Sequence, residues 1–277
     1  MGAGVRQFLQ HLEQERDCSR HTIAAYKTDL AQFEKVTGHS GHLESVSALE
    51  PAVLHTFVTW LQQQRYRQAT MGRKIAAVRS YLRFACNQVG VSPLPLLAVL
   101  DMPRAELSQP ETLSPSTLTR LLNPAGADPR ALRDHAILNL LVETGLRPSR
   151  VIELTLEDMD WEHARIRLRE GVLSLHQSFA PLQAYVLEGR PHLSRIQGER
   201  ALFLNRRGTA LSRQALWMMV KQRAKQAGLS DRITPQLLRH TFARNLLQDG
   251  LSYRDVQKRM RLSSSHILRL YHRDLDR

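Results

Sequence analysis

Cysteine is nearly absent from this 277-residue sequence: Cys18 and Cys86 stand far apart and in no metal-ligand spacing. That excludes a disulfide framework and a thiolate metal site, and it fits free thiols in a reducing compartment. Long apolar runs are missing too. None approaches the ~20 residues that span a bilayer. The N-terminal MGAGVRQFLQHLEQ lacks the apolar stretch of a secretory signal, and Arg6 stands where a myristoylation pattern carries Ser or Thr. The expected location is the cytoplasm, with no membrane partner. Internal repeats, low-complexity tracts and acidic metal clusters are also lacking, so no metal site is expected.

What the sequence has in excess is positive charge. The net charge is +13 at a pI near 10.5, which points to a polyanionic partner, nucleic acid before membrane; a basic protein without such a partner is the alternative. Residues 1–101 hold 11 Lys and Arg against 8 Asp and Glu, and residues 102–277 hold 28 against 18. Most of the excess therefore lies in the second part.

Helical periodicity dominates. Val5, Phe8, Leu9 and Leu12 predict a helix over residues 3–16. Ile23, Tyr26, Leu30 and Phe33 predict a second, capped by Ser19 or Thr22 and ended before Gly38. Pro51 opens a third, and a fourth runs from about Ala69 to Gln88 with Ile75, Val78 and Leu82 inward. Arg65, Arg67, Arg73, Lys74, Arg79 and Arg83 lie on or just before this last helix. They read either as a solvated face or as phosphate contacts, with Arg73, Lys74 and Arg79 the DNA-binding candidates. Prolines 93, 95, 103 and 110 mark a linker. Ser114-Pro115 then starts a helix, residues 131–145 form a strongly apolar one, and Pro148–Leu154 a short one. RIRLREGVLSLHQSFAPL (165–182) alternates apolar and polar residues and predicts two or three strands, with a brief further strand at Ala201–Asn205. Ser212 opens a basic helix whose first residues, Arg213 and Gln214, suit guanine and adenine edges or a solvated turn.

ETGLRPSRVIEL, LFLNRRGTALSRQALW, TPQLLRHTFARNLL and ILRLYHR together resemble the tyrosine recombinase (phage integrase) family, nearest to its Xer-like members. SRHTIAAYKTDLAQF and QATMGRKIAAVRSYLRFA are similar to that family's helical core-binding domain. The resemblance implies a mainly α fold with a small antiparallel β-sheet in the C-terminal domain, closing on duplex DNA as a two-domain, C-shaped clamp. The implied domains are a core-binding domain at 1–95, a linker at 96–111 and a catalytic domain at 112–277. It further implies that Tyr271 attacks a backbone phosphate to leave a 3′-phosphotyrosine, while Arg147 and Arg239 hold the non-bridging oxygens. Neither cofactor nor metal is implied. The implied partners are double-stranded DNA and further copies of the chain, as a dimer or tetramer on DNA, or a partner recombinase.

The sequence departs from the family's pattern at several points. Gln236 replaces the histidine of TPHxLRH, and glutamine cannot exchange protons near neutral pH. Leu262 falls where a histidine or tryptophan stands nine residues before the tyrosine, and Arg150 where an acid follows the first arginine, with Glu153 a turn further on. Leu173 takes the place of the hairpin lysine, and the chain has no lysine between Lys74 and Lys221. His240, His176 and His266, with Arg169, are candidates to assist proton transfer. Six residues follow Tyr271, from which a missing or vestigial subunit-coupling arm is expected. Two functions compete: a site-specific recombinase with weakened acid–base catalysis, and a catalytically impaired DNA-binding accessory or regulatory protein of the same fold. A third, relaxation of supercoils, ranks below both because that chemistry also calls on the lysine.

Overall fold

The computed structural model describes residues 1–14, 18, 20–101, 111–262 and 268. The chain divides into two units, Met1–Glu106 and Leu107–Arg277, each with a core of its own.

The first unit is helical: α1 (Ala3–Gln14), α2 (Arg20–Thr37), α3 (Pro51–Gln63), α4 (Gln68–Val89) and α5 (Leu94–Val99). The helical spacing of Val5, Phe8, Leu9 and Leu12 puts one face of α1 into the core beside Leu30, Phe33, Phe57, Val78 and Leu82. Because α2 begins at Arg20, Thr22 lies inside the helix and is not its cap. Gly90, at φ 73°, ends α4 in the left-handed conformation that suits glycine. Part of the expected linker is ordered: Leu96, Leu97 and Leu100 are buried in this core. Proline at the start of a helix is compatible with it, so Pro93 and Pro95 open α5 where the composition suggested a connector.

The second unit is built around α7 (Pro129–Thr144). Asp128 caps it by accepting the Arg130 and Ala131 N–H groups, and Ala136, Ile137, Leu138, Leu140 and Leu141 are all buried. A helix apolar on most sides is a central one; α6 (Pro115–Leu122), α8 (Pro148–Glu153), α9 (Phe179–Ala184), α10 (Arg190–Leu193) and α12 (Pro235–Gln248) lie along it or follow it. Ser114, Ser212, Thr234 and Ser252 cap α6, α11 (Arg213–Gln226), α12 and α13 (Tyr253–Met260).

The sheet has three antiparallel strands, β1 (Met159–Asp160), β2 (Arg165–Leu168) and β3 (Gly171–Ser174). The alternation around Ile166 is genuine, but strand structure stops at Ser174. Glu143 of α7 explains the stop: its carboxylate accepts the backbone N–H groups of His176 (2.7 Å), Gln177 (3.2 Å) and Ser178 (2.8 Å), and α9 starts at Phe179. The strand expected at Ala201–Asn205 reduces to the isolated bridges Thr155–Ala201 and Leu204–Ala210. Here buried guanidinium groups take the carbonyls: Arg190 binds those of Ala201 and Leu202, and Arg133 that of Leu204 at 2.8 Å. Among the described residues no helix is long and apolar enough to cross a membrane.

Candidate active site

Arg147 and Arg239 are far apart in sequence and meet in one cleft of the second unit. Gly145 makes this possible. It ends α7 at φ 58°, turning the chain so that Arg147 begins α8. A side chain at Gly145 would overlap the ring of Phe242 on α12, so α12 packs close against the turn. Arg239, one helical turn before Phe242, is buried and donates to the Gly145 carbonyl and, at 2.7 Å, to that of Met260. Arg147 is exposed and donates to the Arg261 carbonyl at 3.1 Å. The last carbonyl of α13, that of Met260, and the carbonyl of the residue that caps the helix, Arg261, thus hold one guanidinium group each. The Met260 carbonyl carries the negative end of the helix dipole and lacks a partner within the helix.

The cleft, ≈ 360 Å³, is lined by Arg147, Arg150, Arg239, Arg259 and Arg261 and by one acid, Glu170. Glu170 sits in the two-residue turn between β2 and β3 and accepts two hydrogen bonds of 2.8 Å from one nitrogen of Arg150, which also reaches Glu153 at 3.1 Å. The Arg150 hydrogen bond, followed by lesser causes that include the charges of Arg150 and Arg261, holds the Glu170 carboxyl below the usual range. Glu170 bonding, reinforced by Glu153, raises Arg150 in turn. The acid that the sequence places at Glu153 alone is shared with the hairpin tip. With five cations to one anion, and none of the five a lysine, the cleft suits a phosphate: planar forks bind its oxygens in pairs and keep their charge.

The other expected site residues fall elsewhere. Leu173 pairs across the hairpin with Ile166 and packs on the core, so it offers the cleft nothing polar. Leu262 turns into the apolar cluster of α12 and α13, with Phe242, Leu246 and Met260. Gln236 is exposed on α12 and lies 3.1 Å from His240 Nε2, one turn away. Neither lines the cleft. Burial, and then the charge of Arg239, lower the His240 pKa, so the ring is neutral at pH 7. The side chain of His176 is exposed and outside the cleft lining, while its N–H is held by Glu143. Tyr271 and His266 lie outside the described residues; Leu268, just before Tyr271, is buried against α12 and α13.

The expected DNA-binding residues divide. Arg213 and Gln214 are exposed in the first turn of α11. Lys74 requires correction. It is buried, pairs with the fully buried Asp29 at 3.0 Å, binds Gln32 and lies 5.0 Å from the Tyr66 ring centroid, so it is part of the core. Arg73 pairs with Asp29 as well, and Arg79 with Asp101. Arg65, Arg67 and Arg83 are the exposed cations of this region without an ion pair among the described residues. Sequence reasoning missed Glu170, Arg259 and Arg261; an arginine-rich KRMRL run at the end of a capped helix was the available signal for the last two.

Residues 111–277 match the phage integrase family, and residues 5–88 match the phage integrase N-terminal SAM-like domain. The chain belongs to the phage integrase family. Among relatives in this family, the tyrosine recombinase XerC of Roseiflexus castenholzii is 35% identical, over 98% of this chain and 88% of its own. The tyrosine recombinase XerD of Halalkalibacterium halodurans is 32% identical, over 92% and 87%. The integrase of transposon Tn1549, solved in complex with transposon right end DNA, has the same fold, with a TM-score of 0.76 at 16% identity over 97% of this chain and 94% of that one. The mainly helical fold with a small antiparallel sheet is thus that of phage integrases.

Proposed function

We propose that the protein is a site-specific DNA recombinase that cleaves and rejoins duplex DNA through Tyr271. The observation that carries this reading is the convergence of Arg147 and Arg239 on one arginine-rich cleft, held by the carbonyls that end α13, in a chain of this family.

In the proposed step the Tyr271 hydroxyl oxygen bonds to phosphorus and the bond from phosphorus to the 5′-oxygen breaks. The tyrosine proton leaves, and the 5′-oxygen takes one up. Arg147 and Arg239 bind the non-bridging oxygens as charge builds on them. The phosphotyrosine retains the bond energy, so a 5′-hydroxyl on another strand reverses the step without a nucleotide cofactor. His240 is neutral at pH 7 and stands outside the cleft lining, so it delivers no proton to the departing oxygen. No lysine lines the cleft among the described residues, so the departing oxygen draws its proton from water or a histidine. Loss of a general acid generally slows such a step by about 10²–10⁴-fold, and slow cleavage is expected. The partners are duplex DNA and further copies of the chain on it, and the place of action is the cytoplasm.

The test starts from duplexes selected by the protein out of a randomised pool. Nicked beside the cleavage point, such a duplex should trap a covalent complex on a denaturing gel, lost in Tyr271→Phe and reduced at least about 10²-fold in Arg147→Ala or Arg239→Ala. Sequence-specific binding with no covalent complex would overturn the reading and leave a DNA-binding protein of the same fold.

A further inference from the structure

We propose that Arg261 is a third phosphate-binding arginine of the cleft, supplying the cation and hydrogen-bond donor that Leu262 beside it cannot. The inference rests on the recombinase reading of the same cleft.

The backbone supplies the first observation. Arg261 ends α13 at φ 52° and ψ 51°, the left-handed conformation; among the described residues only Ala164 shares a positive φ without being glycine. The Leu262 N–H reaches the Gln257 carbonyl and the Arg261 N–H that of Lys258, the Schellman arrangement, whose left-handed position favours glycine. A side chain here strains the backbone, and an arginine occupies the position all the same. The strain has no packing return: Leu262, not Arg261, turns into the apolar cluster.

The second observation is where the side chain goes. It lines the cleft with Arg147, Arg150, Arg239 and Arg259. Its guanidinium makes no hydrogen bond or ion pair among the described residues, whereas Arg150 is occupied by Glu153 and Glu170. Its carbonyl meanwhile holds Arg147 at 3.1 Å. One residue therefore orients a phosphate-clamp arginine through its backbone and presents a free cation through its side chain. The competing role is to balance the charge of Glu170, which Arg261 helps to hold low. That role predicts no contact with DNA.

Stability and binding should move in opposite directions on substitution. The full chain, Arg261→Gly and Arg261→Lys are compared by thermal midpoint, by the salt dependence of affinity for the selected duplex, and by the rate of covalent complex formation. The nicked substrate carries either a natural or a methylphosphonate linkage at the scissile position. For Arg261→Gly the expected midpoint is at or above that of the parent. The slope of log affinity against log salt should flatten by about 0.9, one phosphate contact, and covalent complex formation should fall by about 10²-fold. The fall should shrink on the methylphosphonate, which lacks the oxygen charge to be neutralised. Arg261→Lys should keep the parental slope. An unchanged slope and rate in Arg261→Gly, or a lowered midpoint with equal losses in both variants, would overturn the proposal. If the parent forms no covalent complex, the recombinase reading fails, and the salt slope still decides whether Arg261 meets phosphate.

Discussion

Asp29 answers two cations of α4 at once. It is fully buried, with Lys74 at 3.0 Å and Arg73 beside it. Removing one member of a buried ion group leaves the other charged in a place that water does not reach, at a cost of about 3–5 kcal/mol. Asp29→Ala is therefore expected to lower the stability of the protein by that amount, measured as a fall in the urea midpoint; a fall under about 1 kcal/mol would show Lys74 to be adequately satisfied by Gln32 and Tyr66. The positive run of α4 was plain in the sequence, but its division was not, because a residue string counts cations without showing which already have a carboxylate. Arg147 and Arg239 were legible for the opposite reason: each sits in a local pattern, TGLR and LLRH, whose turn and helix bring it into the shared cleft. The charge of Arg261 was legible in the KRMRL run but its place was not, because its left-handed conformation is one that residue identity argues against.

At the scale of elements, the β2–β3 hairpin is fixed at both ends by carboxylates from outside its own strands. Glu170 ties the tip to α8 through Arg150, and Glu143 of α7 gathers the three N–H groups that follow β3, with the Ser178 hydroxyl. Hydrogen bonds to a charged acceptor are among the stronger ones. Glu143→Ala should destabilise the protein by about 1.5–3 kcal/mol, with Glu143→Gln between the parent and Glu143→Ala. Amide exchange at His176, Gln177 and Ser178 should quicken before that of α7; unchanged exchange there would show that the carboxylate does not anchor the loop. The two main strands were visible as alternation around Ile166. Their end was not, since the acceptor that halts them stands more than thirty positions earlier in the chain. Helix α5 was hidden by prolines that mark a connector in composition and a first turn in three dimensions.

At the scale of the whole molecule, three partly buried histidines among the described residues contribute to the response to acid. His39, His135 and His240 all have pKa values lowered chiefly by burial, and then, for His135 and His240, by Arg223 and Arg239. The folded chain keeps these rings neutral where the unfolded chain, at about 6.5, begins to bind protons. More protons on the unfolded state means stability that rises with pH. Their contribution is present in full above about 6.5 and is lost as pH falls toward the lowered folded values. Urea midpoints should be level between about pH 7 and 8 and decline between about pH 6.5 and 5, ahead of the carboxylates. A profile flat to pH 5 would show that the rings protonate freely in the folded state.

The carbonyls at the end of α13 have a mechanical meaning as well. Met260 and Arg261 hold the two clamp arginines, and from these same residues the chain departs for Tyr271. Both guanidinium groups hang from one peg. On the recombinase reading proposed above, a shift of the Met260–Arg261 turn would move both guanidinium groups together, because each of its carbonyls holds one of them.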